Sequence, residues 1–231
     1  MNIDEGTVRP FKDAVYAQLA RLGKALSSGP RLEILDLLTQ GPRTVEAVAA
    51  QVGQSVANTS HHLRALARAQ LVEADRDGLY VTYRIAGDEV ATMFAGMRAL
   101  AERRLRALRQ TTAEFLEPRG VAEPIDARAL ERRIAGRDVT LIDVRPESEF
   151  AAGHLPGAIN IPMDELDGRL RELPPDLEVV AYCRGPFCVM AVDALATLRE
   201  HGFRATHFDR GVADWRALGL PVEGGDDGGA G

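Results

Sequence analysis

The stretch Val179-Val180-Ala181-Tyr182-Cys183-Arg184-Gly185-Pro186-Phe187-Cys188-Val189 begins as an apolar strand and continues through a short Gly/Pro loop into a predicted helix. Such a loop can turn backbone N–H groups toward the sulfur of Cys183, and the N-terminus of the helix adds positive potential. Both effects favour the thiolate and would also stabilise a persulfide anion, so Cys183 is the predicted nucleophile. The predicted active-site loop comprises Arg184, Gly185, Pro186, Phe187 and Cys188. Arg184 adds a cation next to the nucleophile.

Strands and helices alternate around this stretch, which is typical of a parallel α/β sheet. Strands are predicted at 139–144, 158–162, 178–182 and 205–208, and helices at 189–200 and 211–217. The preceding part of the chain is mainly helical by its apolar periodicity. Its helices are predicted at 11–27, 30–40, 45–52, 56–69 and 88–116. Two strand-like runs, 71–73 and 80–85, flank a predicted hairpin turn at 75–78.

Two domains are predicted, because Pro118, Gly120 and Pro124 interrupt two differently patterned regions. The first is a mainly α-helical domain with a β-hairpin over 1–117, and the second is an α/β domain with a parallel sheet. The remaining bounds are a linker at 118–124, the α/β domain at 125–223 and a disordered tail at 224–231.

Composition is that of an ordinary globular protein, with 45% hydrophobic and 27% charged residues. No apolar run approaches the about 20 residues that span a bilayer, and no signal-peptide core is visible, so a cytoplasmic location is expected. Two cysteines, five positions apart, are too few for a secreted disulfide scaffold. The first 118 residues hold 15 Lys and Arg against 14 Asp and Glu, and the rest hold 13 against 20. Nucleic-acid binding must therefore be argued from local pattern.

Helix, short helix, a turn at Gly53, helix and β-hairpin follow one another in the order of a winged helix-turn-helix. The helix at 56–69 begins with short polar side chains that suit base edges, and its arginines can reach phosphates. Within it, apolar Val56, Leu63, Leu66 and Ala67 can face the core. The predicted DNA-binding residues are Ser55, Val56, Asn58, Thr59, Ser60, His61 and Arg64, with Arg76 and Arg84 on the wing.

The run Ser60-His61-His62-Leu63-Arg64-Ala65-Leu66 resembles the ArsR family of bacterial repressors, and the segments 28–35 and 78–85 extend the resemblance. The family implies transcription regulation at a double-stranded DNA operator and a homodimer formed through the first and last helices of the domain. Arg103, Arg104 and Arg106 would then lie on the surface. Many members bind metals through Cys or His in their helices. The helices predicted at 45–52 and 88–116 contain neither, so no metal is expected.

Three segments of the second region resemble the rhodanese domain. They are Leu141-Ile142-Asp143-Val144-Arg145, residues 149–162 with Gly153-His154-Leu155-Pro156-Gly157, and Tyr182-Cys183-Arg184-Gly185, with Gly211 and Trp215 closing the domain. The resemblance covers residues 123–222 and implies sulfurtransferase chemistry. Cys183 would take sulfur from a small donor such as thiosulfate or polysulfide and carry it as a persulfide, without any other cofactor. Asp143 and Arg145 match the family's charged pair and are expected to form a supporting ion pair.

Two further observations concern the loop. Related folds bind phosphate or arsenate with a Cys-x5-Arg loop, but Val189 stands where that arginine would be, which disfavours a phosphatase or arsenate reductase. Cys188 permits two interpretations. It is either a resolving thiol that forms a disulfide or polysulfide with Cys183, or a small apolar residue that packs at the start of the helix.

Together these patterns predict a DNA-binding regulator whose rhodanese domain takes up sulfane sulfur on Cys183, as a sensing input or as a transfer intermediate. Two alternatives stay open. In one, the chain is a rhodanese-type sulfurtransferase whose winged helix only autoregulates or tethers it. In the other, Cys183 and Cys188 form the redox switch of a repressor that responds to oxidants.

Overall fold

The computed structural model describes residues 5–78, 80–116, 119 and 124–224. Its contacts divide the chain into two units, Met1–Val90 and Ala91–Gly231. The predicted linker and the predicted tail lie outside the described residues, apart from Arg119, Pro124 and Gly224. No helix in the described ranges is long and apolar enough to cross a membrane.

The first unit begins with helices whose bounds are α1 Glu5–Leu26, α2 Gly29–Leu38, α3 Val45–Gln51 and α4 Val56–Arg68. Helix α1 starts earlier than predicted and contains Pro10. The side chains of Thr44 and Ser55 accept hydrogen bonds from the N–H groups of Ala47 and Asn58 and so cap the N-termini of α3 and α4. The apolar sides of the helices meet in a core, whose fully buried members include Ile34, Leu35, Val48, Leu63 and Leu66.

A small antiparallel sheet completes this unit. Its strands are β1 Arg43–Thr44, β2 Val72–Asp77 and β3 Tyr80–Ile85, in the spatial order β1-β3-β2. Strand β2 is longer than the predicted run 71–73, because Ala74, Asp75 and Arg76 pair with β3 although their side chains are exposed. An exposed, charged strand carries no apolar alternation, so its pattern resembles a turn.

The polar residues of α4 do not all face solvent. Thr59 is fully buried, so the prediction that it contacts DNA is wrong. It lies four and seven residues before Leu63 and Leu66, which places all three on the core side of the helix. Val56, by contrast, is 46% exposed and does not join the core.

The long helix predicted at 88–116 is two helices, α5 Asp88–Arg104 and α6 Arg106–Leu116. At the break, the carbonyls of Glu102 and Arg103 accept hydrogen bonds from the Arg109 guanidinium, at 2.9 and 2.8 Å. A side chain thus satisfies acceptors that a helix end leaves without backbone partners. The apolar pattern continues from α5 into α6, so the sequence did not indicate a break between them.

The second unit contains a sheet whose described strands are all parallel. They are β4 Val139–Asp143, β5 Ile159–Asn160, β6 Glu178–Tyr182 and β7 Ala205–Phe208, in the spatial order β5-β4-β6-β7. The predicted helices are α10 Met190–Glu200 and α11 Val212–Ala217. Three more helices have no prediction, namely α7 Ala127–Gly136, α8 Glu147–Ala151 and α9 Leu166–Arg169, and a 3-10 turn follows at Leu170–Glu172.

Apolar clusters cover both faces of this sheet. One contains Ala181 and Cys183 with residues of α9 and α10, and the other contains Tyr182 and Phe208 with Trp215 of α11. Because parallel strands end at the same edge, the residues that follow β4, β6 and β7 are brought together there. The loop that begins at Cys183 therefore lies at the carboxyl edge of the sheet, beside the end of β4.

The buried hydroxyl of Thr59 generates a prediction about stability. Its Oγ1 finds no hydrogen-bond partner among the described residues, so Thr59→Val keeps the shape of the side chain and removes an unsatisfied polar group. We expect the free energy of unfolding to rise by about 1 kcal/mol in urea titrations. Thr44→Val is the matched control, because it removes an N-cap and should lower the same free energy by about 1 kcal/mol. A loss of stability in Thr59→Val would contradict the assignment.

Candidate functional site

Cys183 follows the last residue of β6 and is only 2% exposed. Its loop curls back on itself, since the Cys188 N–H donates to the Gly185 carbonyl at 3.0 Å. The Cys183 Sγ lies 3.5 Å from the Cys188 carbonyl and can donate to it. Gly185 has a φ of +143°, a backbone conformation that strongly favours glycine. The predicted loop thus encloses the sulfur, with α10 starting at Met190.

The two thiols influence each other's pKa. Burial and the thiol of Cys188 raise the pKa of Cys183 well above its usual value, against the N–H groups of Ala191 and Gly185. The hydrogen bond from Cys183, together with N–H groups of Arg184 and Met190, lowers the pKa of Cys188 to about 7 despite its burial. Near neutral pH the thiolate is therefore that of Cys188, whereas Cys183 keeps its proton, so the expectation that the loop favours the thiolate of Cys183 is wrong for the resting pair.

Arg184 binds a buried carboxylate. Its Nη2 and Nε donate to Glu149 at 2.6 and 3.0 Å, and Glu149 is 1% exposed. The guanidinium therefore neutralises Glu149 of α8 and anchors the start of the loop. Nothing in the sequence pattern singles out Glu149 as this partner, although it belongs to the segment that resembles the rhodanese domain.

Asp143 and Arg145 are brought together as a buried ion pair, with Nη2 to Oδ2 at 2.6 Å and Nε to Oδ1 at 2.9 Å. Arg145 also donates to the Gly153 carbonyl at 2.8 Å. The Tyr182 hydroxyl accepts from the Leu155 N–H at 3.0 Å. These contacts tie the ends of β4 and β6 to the segment 146–155, which favours a supporting rather than a reacting role.

A second, unpredicted ion pair lies beside the loop. Arg98 of α5 donates through Nη2 to both carboxylate oxygens of Asp214 of α11, at 2.5 and 2.6 Å. The exposed fractions of their side chains are 5% and 10%. A Cβ on Gly185 would lie 3.3 Å from Arg98 Nη1 and 3.5 Å from Asp214 Oδ2, so the backbone of the loop packs on the pair. One turn along α5, Glu102 accepts from Arg210 at 2.8 Å.

Gly211 closes the site from the side of β7. A Cβ at this position would lie 2.2 Å from the carbonyl oxygen of Arg184, closer than any real contact. Its N–H donates to Asp214 Oδ2 at 3.0 Å, which connects this turn to the buried ion pair. The glycine is therefore required by the close approach of two backbones.

A cleft of about 450 Å³ opens over the thiols. One wall is a stripe of α6 at helical spacing, and the opposite wall belongs to the cysteine loop, α10 and the end of β7. The α6 stripe consists of Leu108, Thr112, Ala113 and Leu116. The other lining residues include Phe187, Ala191, Val192 and His207, together with the charged Glu102, Arg109, Asp209 and Arg210.

The predicted DNA-binding side chains lie mostly on the outside of the first unit. Those of Ser55, Val56, Asn58, His61 and Arg64 are exposed and that of Ser60 is half-buried. Arg76 is exposed on β2 next to the hairpin turn, and Arg84 forms an ion pair with Glu73 across the two strands. Thr59 alone of the set is buried in the core. Ser55 also uses its hydroxyl as the cap of α4.

Comparison with known proteins matches both parts of the chain. Residues 126–218 match the model of the rhodanese-like domain, and residues 28–74 match that of the bacterial regulatory proteins of the arsR family. An HTH-type transcriptional regulator of Mycobacterium tuberculosis is 49% identical over 216 residues, which cover 93% of this chain and 94% of the relative. A sulfurtransferase of Allochromatium vinosum is 36% identical over 100 residues, 42% of this chain and 92% of the relative.

One solved structure completes the comparison. It is the homodimeric winged helix-turn-helix DNA-binding domain, fragment 1–100, of a possible ArsR-family regulator from Mycobacterium bovis. Its sequence is 44% identical, it covers 46% of this chain and 95% of its own, and its TM-score is 0.42.

The contact at Gly211 predicts the effect of a single methyl group. Gly211→Ala must displace the Arg184 carbonyl, so we expect a loss of about 1–3 kcal/mol in unfolding free energy and slower modification of Cys183. Gly168→Ala in α9 is the control, because a Cβ there meets nothing within 4 Å. Mass spectrometry after donor exposure measures the modification. Unchanged modification in Gly211→Ala would show that the loop does not depend on this contact.

The lowered pKa of Cys188 predicts a pH dependence of its alkylation. Alkylation needs the thiolate, so the rate at Cys188 should rise as the pH increases through about 7 and level off above it. Cys183→Ala removes the hydrogen bond that lowers this pKa, and the midpoint should move to higher pH. Iodoacetamide kinetics with mass spectrometric detection measure both profiles. Identical midpoints in the two proteins would contradict the pairing of the thiols.

Proposed function

Because the chain belongs to the ArsR family of bacterial transcriptional regulators and carries a rhodanese domain behind its winged helix, we propose that it regulates transcription in response to sulfane sulfur. Cys183 takes up the sulfur, and the modified state of its loop changes the affinity for operator DNA. The observation that carries this proposal is the buried Arg98–Asp214 pair against Gly185.

Helix α5 supplies the connection between the two activities. It is continuous from Asp88 to Arg104, so it begins in the unit that holds the winged helix and carries Arg98 and Glu102 into the second unit. Both side chains form ion pairs at the carboxyl edge of the rhodanese sheet, with Asp214 and Arg210. A change in the loop that alters these pairs acts on a helix shared with the DNA-binding unit.

Thiosulfate can supply the sulfur for the proposed covalent steps. Cys183 passes its proton to the thiolate of Cys188 and attacks the outer sulfur of thiosulfate. The S–S bond of the donor breaks, sulfite leaves with the electron pair, and Cys183 carries a persulfide. The thiolate of Cys188 can then attack the inner sulfur of that persulfide, which forms a Cys183–Cys188 disulfide and releases hydrosulfide. The contact of the Cys183 Sγ with the Cys188 carbonyl at 3.5 Å supports this second step, because it places the two cysteines side by side.

The same contact favours a second candidate, the redox switch. An oxidant that converts Cys183 to a sulfenic acid would let Cys188 displace water and form the same disulfide. The two inputs differ in their by-product, because the persulfide route releases hydrosulfide and the sulfenate route does not.

The regulator is proposed to act as a homodimer. Helix α1 exposes an apolar stripe at helical spacing that a second copy can cover: Phe11, Val15, Leu19 and Leu22 are 67, 40, 55 and 39% exposed. Exposed Asn58, His61 and Arg64 of α4 are proposed to face base edges and phosphates of the operator.

The proposed coupling is tested with Asp214→Asn, which keeps an oxygen acceptor for the Gly211 N–H and removes the charge that pairs with Arg98. We expect thiosulfate or polysulfide to persulfidate Cys183 as in the wild type. The ratio of DNA affinities between reduced and persulfidated protein, about 5- to 150-fold for a coupled system, should fall toward one. Gel shifts with a duplex selected from random sequences measure the ratio.

Arg133→Gln is the matched control. It breaks the ion pair of Arg133 with Glu178 at 2.8 Å, which lies at the opposite end of β6 from Cys183, and it should leave the ratio unchanged. An Asp214→Asn protein with the wild-type ratio would exclude this route. Equal DNA affinities in both states, for the wild type and Cys183→Ser alike, would overturn the proposed function and favour a sulfurtransferase whose winged helix only autoregulates.

A further inference from the structure

The wall of the cleft over Cys183 is unusual because α6 buries none of its residues. Leu108, Thr112, Ala113 and Leu116 recur at helical spacing and are half-buried along the cleft, whereas Thr111 and Glu114 face solvent. An amphipathic helix normally buries its apolar stripe against a core. Here the stripe instead lines the cleft that Cys183 also lines.

The size of the cleft suits an organic molecule. Its volume of about 450 Å³ falls within the roughly 300–1,000 Å³ of small-molecule sites, which are lined mainly by apolar side chains with a few polar groups. Leu108, Leu116, Phe187 and Val192 supply apolar lining. An inorganic sulfur anion would contact little of this lining.

The charged side chains around the thiols also favour an organic molecule over an inorganic anion. Arg184 is bound by Glu149, Arg210 by Glu102 and Arg98 by Asp214. The Arg109 guanidinium donates to two backbone carbonyls. Each of these cations is already engaged, so a dianion such as thiosulfate gains little attraction when it enters.

One polar group is directed at the cleft from the sheet. His207 is 5% exposed, and its Nδ1 has no hydrogen-bond partner among the described residues. It is paired in register with Ala181 on β6, which places its side chain on the same face of the sheet as Cys183. Burial lowers the pKa of His207, so the ring is neutral at pH 7 and can exchange one hydrogen bond with a bound molecule.

We propose that this cleft binds the organic part of a low-molecular-weight persulfide, R–S–S–H, with apolar atoms of R on the α6 stripe and a polar atom of R at His207 Nδ1. The inference rests on the proposed function and names its sulfur donor. Cys183 passes its proton to the thiolate of Cys188 and attacks the outer sulfur, the S–S bond of the donor breaks, and a new S–S bond forms on Cys183. The thiolate RS⁻ leaves with the electron pair and is protonated to RSH.

The test compares two donors on the full-length protein: benzyl hydropersulfide released in the reaction mixture, and thiosulfate. The rate of Cys183 persulfidation is followed by mass spectrometry, and the ratio of the two rate constants is the readout. We expect the organic donor to react faster in the wild type. Leu108→Glu should reduce the ratio by roughly 10- to 200-fold, because a charge replaces the apolar contact for R.

Thr111→Glu is the matched control, since it adds the same charge on the exposed face of the same helix and should keep the wild-type ratio. His207→Ala provides a second variant, which should lower the ratio for donors that carry a polar group in R, such as a cysteine-derived persulfide, more than for the benzyl donor. A wild type that prefers thiosulfate, or a Leu108→Glu ratio equal to that of Thr111→Glu, would overturn the inference.

The outcomes separate this inference from the proposed function. Preferential loading by the organic donor without any change in DNA affinity would keep the donor assignment and overturn the sensor. A DNA response without donor preference would keep the sensor and overturn the assignment. Failure of both donors to modify Cys183 would overturn both.

Discussion

A guanidinium and a carboxylate, those of Arg98 and Asp214, are buried together against the backbone of Gly185. A buried charge that loses its partner costs about 3–5 kcal/mol, so each of the two residues holds the other in place. Asp214 also accepts the Gly211 N–H, and Gly211 in turn packs on the carbonyl of Arg184. The shape of the cysteine loop, the turn after β7 and the position of α5 therefore depend on one pair of charges.

The chemistry of the loop depends on how many of its two buried thiols can ionise. Two thiols in a buried space cannot both ionise, because the second anion would face the first at short range. Backbone N–H groups and the hydrogen bond between Cys183 and Cys188 stabilise the first thiolate near neutral pH. Uptake of sulfur on Cys183 replaces the proton of its thiol with a second sulfur atom, which is larger and charged. A modification of the sulfur is thus also a change in the packing and hydrogen bonding of its enclosure.

The sequence predicted the features that depend on residues close together along the chain. The apolar run 178–182 is the strand that the structure contains, and Cys183 stands at its end as expected. The partnership of Arg98 with Asp214 could not be predicted, because the residues are 116 positions apart and neither charge differs in pattern from a solvated one. The burial of Thr59 could have been predicted. Its polar side chain suggested a DNA contact, but its helical spacing from two buried leucines indicated the core.

The chain resembles two modules joined end to end, yet its charges are not partitioned in that way. A fragment that ends at residue 117 retains Arg98 without its carboxylate, and a fragment that begins at 125 retains Asp214 without its guanidinium. Exchange of either module for a homologous one would succeed only where the newcomer brings the complementary charge. Arg98 and Asp214 both belong to the unit Ala91–Gly231, so a division of the chain that keeps this pair intact falls before Arg98 and not at residue 117.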